Sequence, residues 1–241
     1  MLPKVIFMPG DLEKDFSFID NALRSNKKRW HDKILMRYPK LAEIVPYKKE
    51  HEQKLRLFLE EEYEGNRNKI NESVAIYQDN WDKHNDKFMR ALYTVLEAKE
   101  PENTITVKGF VGVNPIFPRW LESCEFCVPY HYSMFVRATA HEVVHMIYYR
   151  KLIEEFPQID MRSSSSGIGI IEWKLSEALD PIILNDPRIV EAIGETILDT
   201  YVCNKETLIK FNDLYQEHLK EKTSFIDFYK KARILADELL K

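Results

Sequence analysis

Three residues within "ATAHEVVHMIYY" (138–149) have the types and spacing of a metal centre. His141 and His145 stand four apart, and Glu142 directly follows the first histidine. On a helix, positions i and i+4 lie one above the other, so both imidazoles project from one face. They can then share one Zn²⁺ at about 2.0–2.1 Å each. Glu142 is rotated by about 100° from His141 and lies beside that face. It can reach a water on the metal without joining the metal. Zinc lowers the pKa of such a water to about 7, and the glutamate serves as its base. This chemistry explains the H-E-x-x-H spacing. Positions 138–140 and 143–149 carry no formal charge, as expected of a helix buried beneath a cleft.

The elements around that helix must place a third ligand. Residues 11–99 read as helices, because apolar residues recur every three or four positions. "DLEKDFSFIDNALRS", "HDKILMRYPKLAEIV" and "KEHEQKLRLFLEEEYEGN" are separate segments, with Pro46 breaking the pattern between the second and third. A longer stripe over 70–99 includes Val74, Tyr77, Trp81, Phe88, Leu92, Val95 and Leu96. "TITVKGFVGV" (104–113) and "ESCEFCVPYHY" (122–132) read as strands, separated by the turn-like "NPIFP". Residues 134–156 form the histidine helix. "PQIDMRSSSSGIG" (157–169) reads as a loop, with Ser163–Ser166 placed to gate a cleft. "IIEWKLSEAL" predicts a short helix ending near Asp180-Pro181. Asp186-Pro187 opens another. Helices over roughly 204–220 and 223–240 finish the pattern.

The chain has 241 residues, 44% hydrophobic and 31% charged, which is enough apolar matter for a real core. A net charge of −4 without a basic block excludes a nucleic-acid footprint. The apolar run before Gly10 is too short for a signal-peptide core or a membrane span. These features predict a cytoplasmic protein with no membrane partner. Cys124, Cys127 and Cys203 are an odd set, which argues against a disulfide framework. Cys124-x-x-Cys127 has no second pair to complete a structural zinc, so both read as buried thiols. His131, just before the histidine helix, reads as structural.

The H-E-x-x-H segment and the order of elements around it resemble the zincin metallopeptidases. In that fold a backing helix leads into a small sheet, then the active-site helix, then a helix carrying the third ligand. Residues 70–99, 104–132, 134–156 and 171–180 follow that order. The resemblance implies an α+β, mostly helical chain. With the helical patterns outside it, which the resemblance does not cover, the chain would comprise an N-terminal helical extension at 1–69 and a zincin-like domain at 70–241 that ends in the C-terminal helices. Lys151 stands where the metzincin subgroup has its third histidine, so the gluzincin subgroup, with a glutamate ligand, is the nearer likeness.

Three glutamates compete for that role. Glu177 sits in "KLSEALD", which is similar to the "LSEGLA" and "LNEGFA" segments of gluzincins. Thirty-one residues lie between it and His145, more than in thermolysin-like or aminopeptidase-type relatives. Asp180, three residues on, shares its helix face and can hold a histidine N–H. It stands one residue short of the family spacing. Glu195 sits in "GETILD", an E-x-x-x-D pattern whose aspartate supports the first histidine in several gluzincins. Glu172 is the third candidate. The gluzincin role of stabilising the oxyanion on the scissile carbonyl is open to Tyr201 or His218.

The expected function is hydrolysis of peptide bonds in a peptide or protein substrate. His141, His145 and Glu177 would hold Zn²⁺ and Glu142 would be the general base. The competing reading is a catalytically inactive or non-enzymatic helical protein that binds metal or a partner through the same cleft.

Overall fold

The first strand is one that helical periodicity hides: Lys4–Pro9 (β1) lies within the N-terminal apolar run. The computed structural model describes residues 2–25, 28–158, 170–194 and 196–240. It contains helices α1 (Leu12–Arg24), α2 (Lys28–Arg37), α3 (Glu52–Asp82) and α4 (Asn85–Val95). Strands β2 (Thr106–Gly112), β3 (Arg119–Trp120) and β4 (Glu125–Pro129) follow. Helices α5 (Phe135–Glu155), α6 (Ile170–Leu184), α7 (Pro187–Ile193), α8 (Lys205–Glu221) and α9 (Phe225–Leu239) complete it. The chain is therefore mostly helical with one small mixed sheet. Two compact units arise, one from residues 5–82 and 106–135, the other from 1–4, 83–105 and 136–241. Positions 69 and 70 lie inside α3.

In the first unit the strand order is β1-β2-β4-β3. β2 and β4 pair in parallel, and β3 runs antiparallel on the far side of β4. Lys4 N–H donates to Ile105 O and Gly10 N–H to Val111 O, so β1 also runs parallel to β2. Parallel strands are buried on both faces and read as continuous apolar runs, as "FVGV" and "FCV" do. The outer edge of β1 is closed by one side chain. Gln78 on α3 accepts from Phe7 N–H at 2.8 Å and donates to Val5 O at 3.2 Å. Its amide takes the place of a neighbouring strand, which protects an exposed edge. Phe7 meets Tyr77 and Phe126 edge-on, and Tyr77 stacks on Phe135 at 4.1 Å. Cys127 is buried in β4, Cys124 and Cys203 are half-buried, and all three remain thiols.

A carboxylate lies beneath this sheet. Asp15 on α1 is 1% exposed and accepts from Tyr63 OH at 2.6 Å and Asn114 N–H at 3.3 Å. Gly10 and Gly112 leave room for the pair. A Cβ at either would stand 2.5 or 2.7 Å from the Tyr63 hydroxyl.

The described elements of the second unit are mostly helical, α4 to α9. α4 packs on α7, and α8 and α9 pack on each other and on α6. The long stripe expected over 70–99 is divided. α3 runs through position 70 without interruption and stops at Asp82, and α4 starts anew at Asn85. Tertiary bonds hold the junction: His84 Nδ1 lies 2.8 Å from Ala192 O, and Asn85 Nδ2 donates to Pro3 O. α6 also departs from expectation, continuing through Pro181 to Leu184. Proline lacks the N–H that would bond the carbonyl four residues back, that of Glu177. The Thr200 hydroxyl donates to that carbonyl at 3.1 Å, so the helix continues with its bonds satisfied. The serine-rich loop at 159–169 and its gating role lie outside the described residues.

Burial outweighs the hydrogen bonds from Tyr63 and Asn114 and raises the Asp15 pKa from 3.8 to about 6. The folded state therefore holds its proton more tightly than the unfolded chain, and stability falls as pH rises from about 4 through 6. Ionising this carboxyl in the folded chain costs roughly 3 kcal/mol of stability above that range. Asp15→Asn should raise stability by up to about 3 kcal/mol at pH 8 and by little at pH 4. Urea unfolding at both pH values measures this, and a gain confined to pH 4 would contradict it.

Candidate metal centre

Two helices with apolar residues on nearly every side carry the site. On α5, Ala140, Val143, Val144, Met146, Ile147, Tyr148, Tyr149 and Leu152 are buried. On α6, Leu175, Ala178, Leu179, Ile182, Ile183 and Leu184 are buried. A helix buried all round cannot keep polar side chains unless they satisfy one another. Five polar side chains here lie grouped against one another: His141, Glu142, His145, Glu177 and Asp180.

The two imidazoles turn their Nε2 atoms toward each other at 3.3 Å. Glu177 faces both, with Oε1 3.6 Å from His145 Nε2 and Oε2 3.8 Å from His141 Nε2. Glu142 Oε1 lies 3.8 Å from His141 Nε2. Asp180 takes the opposite nitrogen, its Oδ2 2.6 Å from His141 Nδ1. His141, His145 and Asp180 offer ligand atoms that all lie within 4.8 Å of one another, a group able to hold a metal ion. Asp180 and Glu177 approach the histidine pair differently. Asp180 is hydrogen-bonded at the back of one ring, whereas Glu177 faces the gap between the rings. Ligands at 2.0–2.1 Å from a tetrahedral zinc are separated by about 3.3–3.4 Å. The Nε2 pair has that separation, and the Glu177 oxygens are within a few tenths of an ångström of it.

A second contact ties the helices together one turn further along. Tyr149, four residues after His145, donates to Ser176 Oγ at 2.9 Å, and Ser176 donates to Trp173 O at 2.8 Å. The Tyr149 ring lies nearly parallel to His145, at 6.4 Å. Ser176 precedes Glu177, so this contact sets the height of the glutamate against the histidines.

The charges are one-sided. Glu142, Glu177 and Asp180 are 2–3% exposed, and the His141 side chain, at 29%, is the open side of the group. Buried carboxylates need compensating positive charge. Burial disfavours the charged form of His141, but Asp180, then Glu142 and Glu177, outweigh it and lift its pKa from 6.5 to about 9. A divalent cation would meet the same demand.

The other candidates lie elsewhere. Glu172 accepts from Tyr229 OH at 2.9 Å and from Arg233, turned toward α9. Glu195 lies outside the described residues. His218 has its Nδ1 2.9 Å from Thr223 Oγ1 and its ring among Tyr215 and Phe228. Tyr201 is 52% exposed, with its ring 5.9 Å from Trp173, one turn before Glu177. His131 is exposed, in a left-handed backbone conformation, and its N–H donates to Ser73 Oγ. Sequence reasoning missed Thr200 and Tyr149. Pro181, four residues after Glu177, signals a carbonyl in need of a donor, and Tyr149 repeats the four-residue step of the histidines.

No known protein family, curated protein or solved structure matches this chain.

A histidine whose pKa rises on folding adds stability below its unfolded value, and that contribution is lost as pH climbs through about 9. In metal-free protein, Asp180→Asn should lower the His141 titration midpoint by at least one pH unit, read by NMR of the imidazole. It should also flatten the loss of stability between pH 6.5 and 9. An unchanged midpoint would remove Asp180 as the cause.

Proposed function

We propose that this chain is a zinc-dependent peptidase of the gluzincin kind, hydrolysing peptide bonds of a peptide or protein substrate. One observation carries the reading. Two Nε2 atoms 3.3 Å apart and the Glu177 carboxylate face one point, while a separate carboxylate holds His141 by its other nitrogen. His141, His145 and Glu177 would hold the metal. Two imidazoles and one carboxylate suit Zn²⁺ and leave a fourth position open, as catalytic zinc sites do. Asp180 fixes the tautomer, since a proton on Nδ1 leaves the Nε2 lone pair for the metal.

Zinc, when bound, supplies Lewis acidity and a water that ionises near neutral pH. Glu142, buried beside His141 Nε2, takes a proton from the attacking water and hands it to the departing amine. The water oxygen forms the new bond to the carbonyl carbon, the C–N bond breaks, and the amine leaves protonated. Tyr201, exposed at the rim, is better placed than His218 to reach a substrate oxygen.

The protein should carry about one Zn²⁺ per chain, and its cleavage of casein should stop with a chelator and return with zinc. Glu142→Gln should keep the zinc and lose about 10²–10⁴-fold in rate, because an amide cannot accept the proton. Full activity in that variant would exclude the mechanism. Zinc retention without any cleavage by the wild type would favour a non-enzymatic metal protein.

Glu177→Ala should weaken zinc binding at least 100-fold, while Glu172→Ala should leave it within a few-fold. Competition with a chromogenic chelator measures both. The reverse order would move the ligand to Glu172.

A further inference from the structure

The histidine helix carries an arginine one turn before the first histidine. Arg137 shares the helix face of His141 on α5. Its side chain is half-buried, and Nη2 donates to Ile197 O at 3.2 Å. Among the described residues no carboxylate pairs with it. By contrast, Arg24, Arg56, Arg67, Arg188 and Arg233 each sit on a carboxylate.

The carbonyl that holds Arg137 belongs to a non-helical strap, residues 196–203, between α7 and α8. The strap is fixed to the helices that carry the metal-centre residues. Thr200 Oγ1 donates to the Glu177 carbonyl that Pro181 leaves without a helical partner. Thr196 N–H donates to Asn185 Oδ1 at 3.1 Å, just past the end of α6. From this fixed backbone Ile197, Leu198 and Tyr201 are 63%, 39% and 52% exposed. A pinned strap presenting large apolar side chains next to an arginine has the chemistry to bind a carboxylate attached to an apolar residue. The guanidinium fork matches a carboxylate in two parallel hydrogen bonds.

Spacing selects which carboxylate. Four residues separate Arg137 from His141, about 6 Å along the helix axis. An extended peptide advances about 3.3–3.6 Å per residue. A group bound at Arg137 therefore lies one or two residues beyond a bond cleaved at the histidine pair.

We propose that Arg137 and the 196–203 strap bind the free carboxyl terminus of the substrate, so that the enzyme removes one or two C-terminal residues with bulky apolar side chains. This inference rests on the peptidase reading above. Water is the co-reactant: its oxygen ends in the shortened peptide's new carboxylate, and its proton leaves on the amine of the released product.

The test uses zinc-loaded full-length protein and an acetylated pentapeptide ending in Phe-Leu, as the free acid and as the C-terminal amide. The wild type should cleave the acid at least 100-fold more efficiently in kcat/KM, and mass spectrometry should find the product short by one or two residues. A peptide ending in Gly-Gly should be at least tenfold poorer, the discrimination expected of an apolar pocket. Arg137→Gln should bring the acid-to-amide ratio to within about threefold with zinc content unchanged, and Arg137→Lys should retain part of it. Equal cleavage of acid and amide by the wild type, or internal cuts in a long peptide, would overturn the carboxyl-terminal assignment and leave the peptidase reading standing. No cleavage of either peptide or of casein would overturn both.

Discussion

Three carboxylates buried against two imidazoles are the constraint around which the helical unit is arranged. In apolar surroundings Glu142, Glu177 and Asp180 would each carry a large desolvation penalty if left alone. Together they create a demand for positive charge that a proton on His141 meets in part and a dication meets better. The surrounding α5 and α6 are apolar because they form the dry wall that keeps this demand strong. Tyr148, Tyr149 and the valines between the histidines are therefore part of the site's electrostatics as well as of the core.

That arrangement needs α5 and α6 to be held in register, and two local devices do it. Tyr149 and Ser176 join the helices one turn from the histidines. Pro181 removes a helical N–H, and Thr200 supplies the missing donor to Glu177 O. The second device does more than repair a helix. It draws a non-helical strap against the helix of Glu177, where a continuous helix would have offered no spare carbonyl. A residue that weakens α6 in isolation thus gives the site a rim.

The sheet unit follows the same economy of polar groups. Its parallel strands leave one backbone edge at β1, and Gln78 closes it by imitating a peptide unit. Asp15 and Tyr63 fill a gap that Gly10 and Gly112 keep open, and the carboxyl group there resists ionisation. In the sheet unit Asp15 and Gln78, and in the helical unit Asp180 and Ser176, are each tied to a named backbone or side-chain partner.

His141, Glu142 and His145 were legible because their relation is local: a helix fixes i, i+1 and i+4 on one surface whatever surrounds it. The strands at 106–112 and 125–129 were legible for a similar reason, since β-rich runs between turn residues carry their own signal. β1 was hidden because six residues between a proline and a glycine give too short a pattern. The break at 83–84 and the continuation through Pro181 depend on partners far away in sequence, Ala192 and Thr200, which no periodicity contains. The same holds for the carboxylates. Glu172 and Glu177 lie on one short helix, yet only the packing of α6 turns Glu177 and Asp180 toward the histidines and Glu172 toward Arg233. Sequence determines which side chains one helix can present together. Which of them meet across two helices is decided by tertiary packing, because the residues that set it are non-local.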